Sequence, residues 1–193
     1  RPPPLETTAT SAPESAPVRD ESDLPARWAM EAALTAGYEN GTDLDDALGG
    51  TLAVRRYLLT NLTVRAGAAV RLTQRDQPDI NGLALIGSLG AGWSSRRFGP
   101  GSRLAAGARA DLLAQHQSVR VSDRMLSGDR SYSSLGADAL GELGLALARD
   151  TMILLAAGVE EMFTEADVVV AGHVDATFHH TRLVLQLGVL SRF

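Results

Sequence analysis

"LVLQLGVLSRF", residues 183–193, alternates without a break. Leu183, Leu185, Leu187 and Val189 fall on one side of a two-residue period. Val184, Gln186, Gly188 and Leu190 fall on the other, and after a polar pair the last residue is Phe193. A chain terminus is usually polar and frayed. This one has the periodicity of a long strand, because side chains at i and i+2 share a face.

The same period recurs upstream. In "WAMEAALTAGY" the series Trp28, Met30, Ala32, Leu34, Ala36, Tyr38 opposes Glu31, Thr35 and Gly37. In "LTVRAGAAVRLTQ" the series Leu62 to Leu72 opposes Arg65, Gly67 and Arg71. In "SRLAAGARADLLAQ" Leu104 to Leu112 oppose Arg103, Arg109 and Asp111. In "GADALGELGLALAR" Ala137 to Leu147 oppose Asp138 and Glu142. A helix would place Arg and Leu on one stripe, so the period selects strand. Eight strands are predicted, near 27–40, 48–57, 61–74, 80–96, 102–121, 132–149, 151–164 and 176–193. The links after strands two, four and six are short, and the other four are longer and more acidic. The long links therefore share one end of the sheet, and both termini lie with the short turns at the other.

Residues 1–26 differ in kind. They hold six of the eight prolines, many Ser, Thr and acidic residues, and few large apolar side chains. Proline cannot donate a ladder hydrogen bond, and this composition does not offset ordering entropy. The stretch is predicted to be a disordered linker preceding a strand-rich domain at 27–193. The chain opens without an initiator Met or a charged-then-apolar segment, which reads as a mature or trimmed product. No run of 18 apolar residues is present, so no membrane helix is expected. Cysteine is absent, which removes disulfides and thiol chemistry, and a net charge of −5 argues against nucleic acid as a partner. All 18 basic residues are Arg, whose planar fork suits buried ion pairs.

Two architectures fit eight alternating strands. A soluble, lipocalin-like ligand-binding barrel points its apolar face inward, whereas a membrane barrel points it into lipid and keeps polar groups inside. The strands are long enough to cross a bilayer at a tilt. Aromatics cluster near strand ends: Trp28, Tyr57, Trp93 and Phe193 with the short turns, Tyr38 and Phe163 with the long links. Such girdles mark membrane interfaces. The apolar face is mostly Leu, Val and Ala, and the polar face mixes Arg, Asp and Glu with Gly and Ala. The fold class expected is all-β, an eight-stranded antiparallel up-and-down transmembrane β-barrel.

An alternating last strand that ends in Phe resembles the assembly signal of bacterial outer-membrane barrel proteins, here carried by Leu183, Leu185, Leu187, Val189 and Phe193. The plan of 27–193 resembles the small OmpA/OmpX-like barrels. The resemblance implies residence in the bacterial outer membrane with periplasmic termini. It also implies contact with outer-membrane lipid and lipopolysaccharide, and handling by the barrel-assembly machinery during biogenesis. An envelope protein partner would be reached through residues 1–26 or the loops.

Eight strands enclose only enough space for side chains. The predicted lumen set is Glu31, Arg55, Arg65, Arg71, Arg103, Arg109, Asp111, Asp138, Glu142, Glu160 and Arg182, six bases and five acids. Either they form a gated polar path, or they pair and plug the barrel. Pairing is favoured, since an unpaired buried charge costs several kcal/mol; Arg109 is expected to pair with Glu142.

Few motifs suggest chemistry. His116-Gln117-Ser118 resembles the His-x-Ser pair of outer-membrane lipid A deacylases, which implies an outer-leaflet lipid-modifying enzyme as an alternative. That mechanism needs an acid to orient the imidazole. At the family's spacing stands Arg130, with Asp129 only adjacent. His179 and His180 fall on opposite faces and, with His173, form no metal set. Asp43–Asp46 lack the spacing of a Ca²⁺ loop. Asn40-Gly41-Thr42 and Asn61-Leu62-Thr63 match a sequon without consequence in a bacterium. "VVV" at 168–170 reads either as an extension of strand seven or as a partner surface. No cofactor is expected, and the function expected is structural: an anchor or interaction subunit of the envelope.

Overall fold

The computed structural model describes residues 28–39, 46–76, 79–95, 103–122, 127–163, 166–170, 173–178 and 181–193. The linker at 1–26, the loop around Asp43 and Asp45, and His179 and His180 lie outside the described residues. Eight strands close a barrel: β1 (Trp28–Glu39), β2 (Asp46–Tyr57), β3 (Leu62–Asp76), β4 (Asp79–Ser94), β5 (Leu104–Ser122), β6 (Ser127–Ala146), β7 (Thr151–Met162) and β10 (Thr181–Arg192). Every neighbouring pair is antiparallel, and the last strand closes the ring against the first, from Ala29↔Arg192 to Glu39↔Arg182. The Phe193 amide extends that ladder by donating to the Trp28 carbonyl at 3.0 Å. The terminal alternating strand is thus the seam of the barrel, which leaves no unpaired edge.

Two segments depart from expectation. The β5–β6 ladder runs on to Ser122↔Ser127, so β6 begins at 127 and not 132, and only 123–126 join the pair. Residues 165–175 are predicted as a link between a strand ending at 164 and one starting at 176, with the valines either extending the earlier strand or forming a partner surface. The structure instead has a separate two-stranded sheet, β8 (Ala166–Val170) and β9 (His173–Phe178), and β10 starts at 181. The valine run lies in β8, with a register shift between Val168 and Val169. β-Branched residues favour an extended backbone wherever a partner strand is near.

The two faces separate by burial. Leu34 (73%), Leu48 (66%), Leu89 (64%) and Leu112 (66%) are largely uncovered, as are the outward leucines of the other strands. The charged side chains of the strand middles point inward, while Arg56, Arg120 and Glu161 near strand ends are exposed. A soluble ligand-binding barrel has the reverse arrangement, and an apolar band of this extent needs a cover. Trp28, Trp93 and Phe193 are exposed at the short-turn end, Tyr38 and Phe163 at the other. Tyr57 is a correction: it shares the inward parity of Arg55 and packs against Ala29, Met152 and Leu190 inside the short-turn mouth. No helix of the described residues is long and apolar enough to cross a membrane, which has no bearing on crossing by strands.

Candidate functional site: the charged lumen

Ten of the eleven predicted lumen residues are buried: Glu31, Arg55, Arg65, Arg71, Arg109, Asp111, Asp138, Glu142, Glu160 and Arg182. Five are cations and five anions. Arg103 is a correction. It has inward parity but precedes β5 at the open mouth, where its carbonyl still accepts from the Ala146 amide at 2.8 Å while its side chain is exposed.

β4 makes room for the others. Its inward positions are Gly82, Ala84, Ile86, Ser88, Gly90 and Gly92, all without charge and mostly small. Arg65 on β3 and Asp111 on β5 therefore meet across it, at 2.6 Å, with Ser88 Oγ also taking a hydrogen bond from Arg65 at 3.1 Å. Arg65, Gly90 and Asp111 stand on one row of the register. A Cβ at Gly90 would overlap Asp111 Oδ1 and the Ala110 carbonyl, so only glycine fits between those two side chains. The row continues through Asp138 and Glu160 to Arg182, and in the other direction to Arg55. One hydrogen-bonded row thus carries six of the ten charges around the barrel wall.

Within the half near the short turns, Glu31 is the hub. Its carboxylate accepts from Arg55 Nε at 2.8 Å, Arg65 Nη2 at 3.1 Å and Arg109 Nη1 at 3.1 Å. Arg55 also grips Glu142 with both terminal nitrogens, at 2.8 and 2.6 Å. Arg109 Nε lies 3.5 Å from Glu142, an ion pair without a hydrogen bond, and Arg109 Nη2 donates to Gln186. Three arginines and three carboxylates (Glu31, Asp111, Glu142) interlock. Nearer the long links, Arg71 binds Glu160 bidentately at 2.6 and 2.5 Å, and Arg182 lies 3.8 Å from the same carboxylate. Between the halves, Asp138 accepts the Asp111 amide at 3.2 Å.

The sequence reading passed over the neutral members of this interior. Gln115 donates to Gln117 at 2.6 Å, Tyr132 donates to the same Gln117 oxygen at 2.7 Å, and Thr35 and Thr51 hydrogen-bond at 3.1 Å. Parity would have found Gln115 and Gln117, two and four residues beyond Leu113 on the inward side.

His116 and Ser118 share the outward, exposed face of β5. The His116 Nδ1 lies 3.0 Å from Ser133 Oγ on β6, and among the described residues no carboxylate is hydrogen-bonded to that ring. No group of His, Asp and Glu among the described residues is arranged to hold a metal ion. His173 lies in β9, whose side chains are outside the described set.

No family model and no curated protein matches the sequence. Solved structures do match. Neisserial surface protein A (NspA) superimposes with a TM-score of 0.58 at 14% identity, covering 86% of this chain and 96% of that one. A major outer membrane protein from Thermus thermophilus gives a TM-score of 0.54 at 12% identity, covering 85% and 99%. At such identity the likeness speaks to the fold. The closed antiparallel sheet, the apolar outer face and these two superpositions together give this chain the fold of the small eight-stranded outer-membrane β-barrels.

Proposed function

We propose that the chain is an integral protein of the bacterial outer membrane, with periplasmic termini, that serves as a structural anchor or interaction subunit of the envelope and conducts no solutes. The observation that carries this reading is the interlocked charge network. Seven of the eight barrel strands contribute to it, and its five arginines and five carboxylates balance. A filled, neutral lumen supports a plug, because an ion entering it would have to displace charge-assisted hydrogen bonds. Residues 1–26 act as a tether toward a partner. Leu183, Leu185, Leu187, Val189 and Phe193 present the outward face of the closing strand to the assembly machinery. Lipid and lipopolysaccharide cover the leucine band, with Trp28, Trp93, Tyr38 and Phe163 at its borders.

Refolded protein should migrate differently before and after boiling, and should give no steady conductance in planar bilayers. Reproducible open-channel current would overturn the plugged-lumen reading. A protein that stays in aqueous solution without detergent would overturn the membrane reading.

A further inference from the structure

Along the sequence, the charges near strand ends and in the links between strands are sorted by the end to which they connect. The short-turn end, at 27, 56–61, 94–103, 147–150 and 191–193, carries seven arginines and one acid, Asp150. The opposite end, at 39–46, 75–79, 120–130 and 161–175, carries twelve acids against four arginines. Four arginines of the short-turn end lie among the described residues, and the strand order spreads them around the rim. Arg56 ends β2, Arg192 ends β10, Arg149 lies in the β6–β7 turn and Arg103 precedes β5.

Aromatic rings hold two of them. Arg56 is exposed and its guanidinium stands 5.3 Å from the ring centre of Trp28, its cross-strand neighbour on the outer face. Arg192 lies 4.8 Å from the Tyr57 ring on the inward side, so it lines the mouth and is not one of the lipid-facing guanidinia. Two turns at this end carry exposed leucines where water-facing turns are usually polar: Leu58, Leu59 and Leu147 are 51%, 67% and 60% exposed. Leucine in the turns extends the greasy band to its limit, and arginine on tryptophan stands at that limit. This is the depth at which lipid phosphates lie, and a guanidinium fork matches a phosphate with two parallel hydrogen bonds.

We infer that the arginine rim of the short-turn end binds the phosphate headgroups of anionic glycerophospholipids and holds a shell of them around the barrel. The inference rests on the membrane-spanning reading above. The exposed leucines favour a lipid over free phosphate, because acyl chains would lie on them. The acidic opposite end would repel the same lipids, so the binding is confined to one leaflet.

The test uses the full chain in nanodiscs of mixed phosphatidylcholine and phosphatidylglycerol, with spin-labelled lipids reporting the relative association constant. The wild type should prefer phosphatidylglycerol, by about fivefold for a lipid held by one guanidinium at low salt. Salt should erase the preference as the screening length shortens. Arg56→Gln/Arg103→Gln/Arg149→Gln should show almost no preference, and the corresponding triple Lys variant should keep most of it. Absence of preference in the wild type, or its persistence in the Gln variant or at high salt, overturns the inference. Loss of the preference on adding glycerol phosphate, at constant ionic strength, would make free phosphate the ligand and also overturn it. If the Gln variant does not fold, the wild-type salt titration decides. Failure of the membrane reading would be distinct: no folded protein would enter either nanodisc.

Discussion

The two halves of the lumen solve the same problem differently. Near the short turns, three arginines and three carboxylates share partners, and Glu31 alone serves Arg55, Arg65 and Arg109. Near the long links, among the described residues, Arg71 binds Glu160 with Arg182 3.8 Å from the same carboxylate, and neutral amides and hydroxyls pack beside them. In the first half each charge has more than one partner, and removing Glu31 takes an acceptor from three guanidinia at once. In the second, loss of Glu160 removes the carboxylate that Arg71 binds among the described residues. The difference teaches that the short-turn half holds the register of the barrel, while the other half has more freedom to differ in sequence.

Four substitutions would break or sharpen that contrast, each read as the urea midpoint of the heat-modifiable species. Glu31→Ala should cost most, about 3–5 kcal/mol or failure to fold, because three buried guanidinia lose a common acceptor. Glu160→Gln should cost about 1.5–3 kcal/mol, the range for hydrogen bonds to a charged group. An equal loss in these two variants would erase the distinction between the halves. Gly90→Ala should cost about 1–3 kcal/mol, because the added methyl meets Asp111 and the Ala110 carbonyl and the β4–β5 pair must shift. A neutral outcome there would mean that the row across β4 is looser than its geometry. Arg103→Gln should change stability by no more than about 0.5 kcal/mol, as for an exposed side chain. A loss as large as that of Glu160→Gln would return Arg103 to the lumen network.

Much of this was legible in the chain because strand parity is a local property. Glu31, Arg65, Arg109 and Glu142 could be sent inward, and Leu34 or Leu112 outward, by counting in twos. The corrections come from strand ends and from contexts that counting does not cover. Arg103 has the right parity but stands at the open mouth, where nothing covers its side chain. Tyr57 is aromatic and terminal, as an interface residue would be, yet it faces the mouth and packs on Met152 and Leu190. The β8–β9 pair lies in a stretch whose valines announced a strand, but whose partner could be identified only once the chain had turned back on itself.

By itself the sequence determined the number and type of the barrel strands, the parity of their faces and the apolar exterior, since all of these follow from a two-residue period in a chain of known composition. Tertiary structure alone decided which charges meet. Arg65 and Asp111 are 46 residues apart and Arg71 and Glu160 are 89. Whether they share a level depends on the stagger accumulated as eight strands close into a ring. That stagger is a property of the closed sheet as a whole, set by strand tilt and shear, and no single strand encodes it.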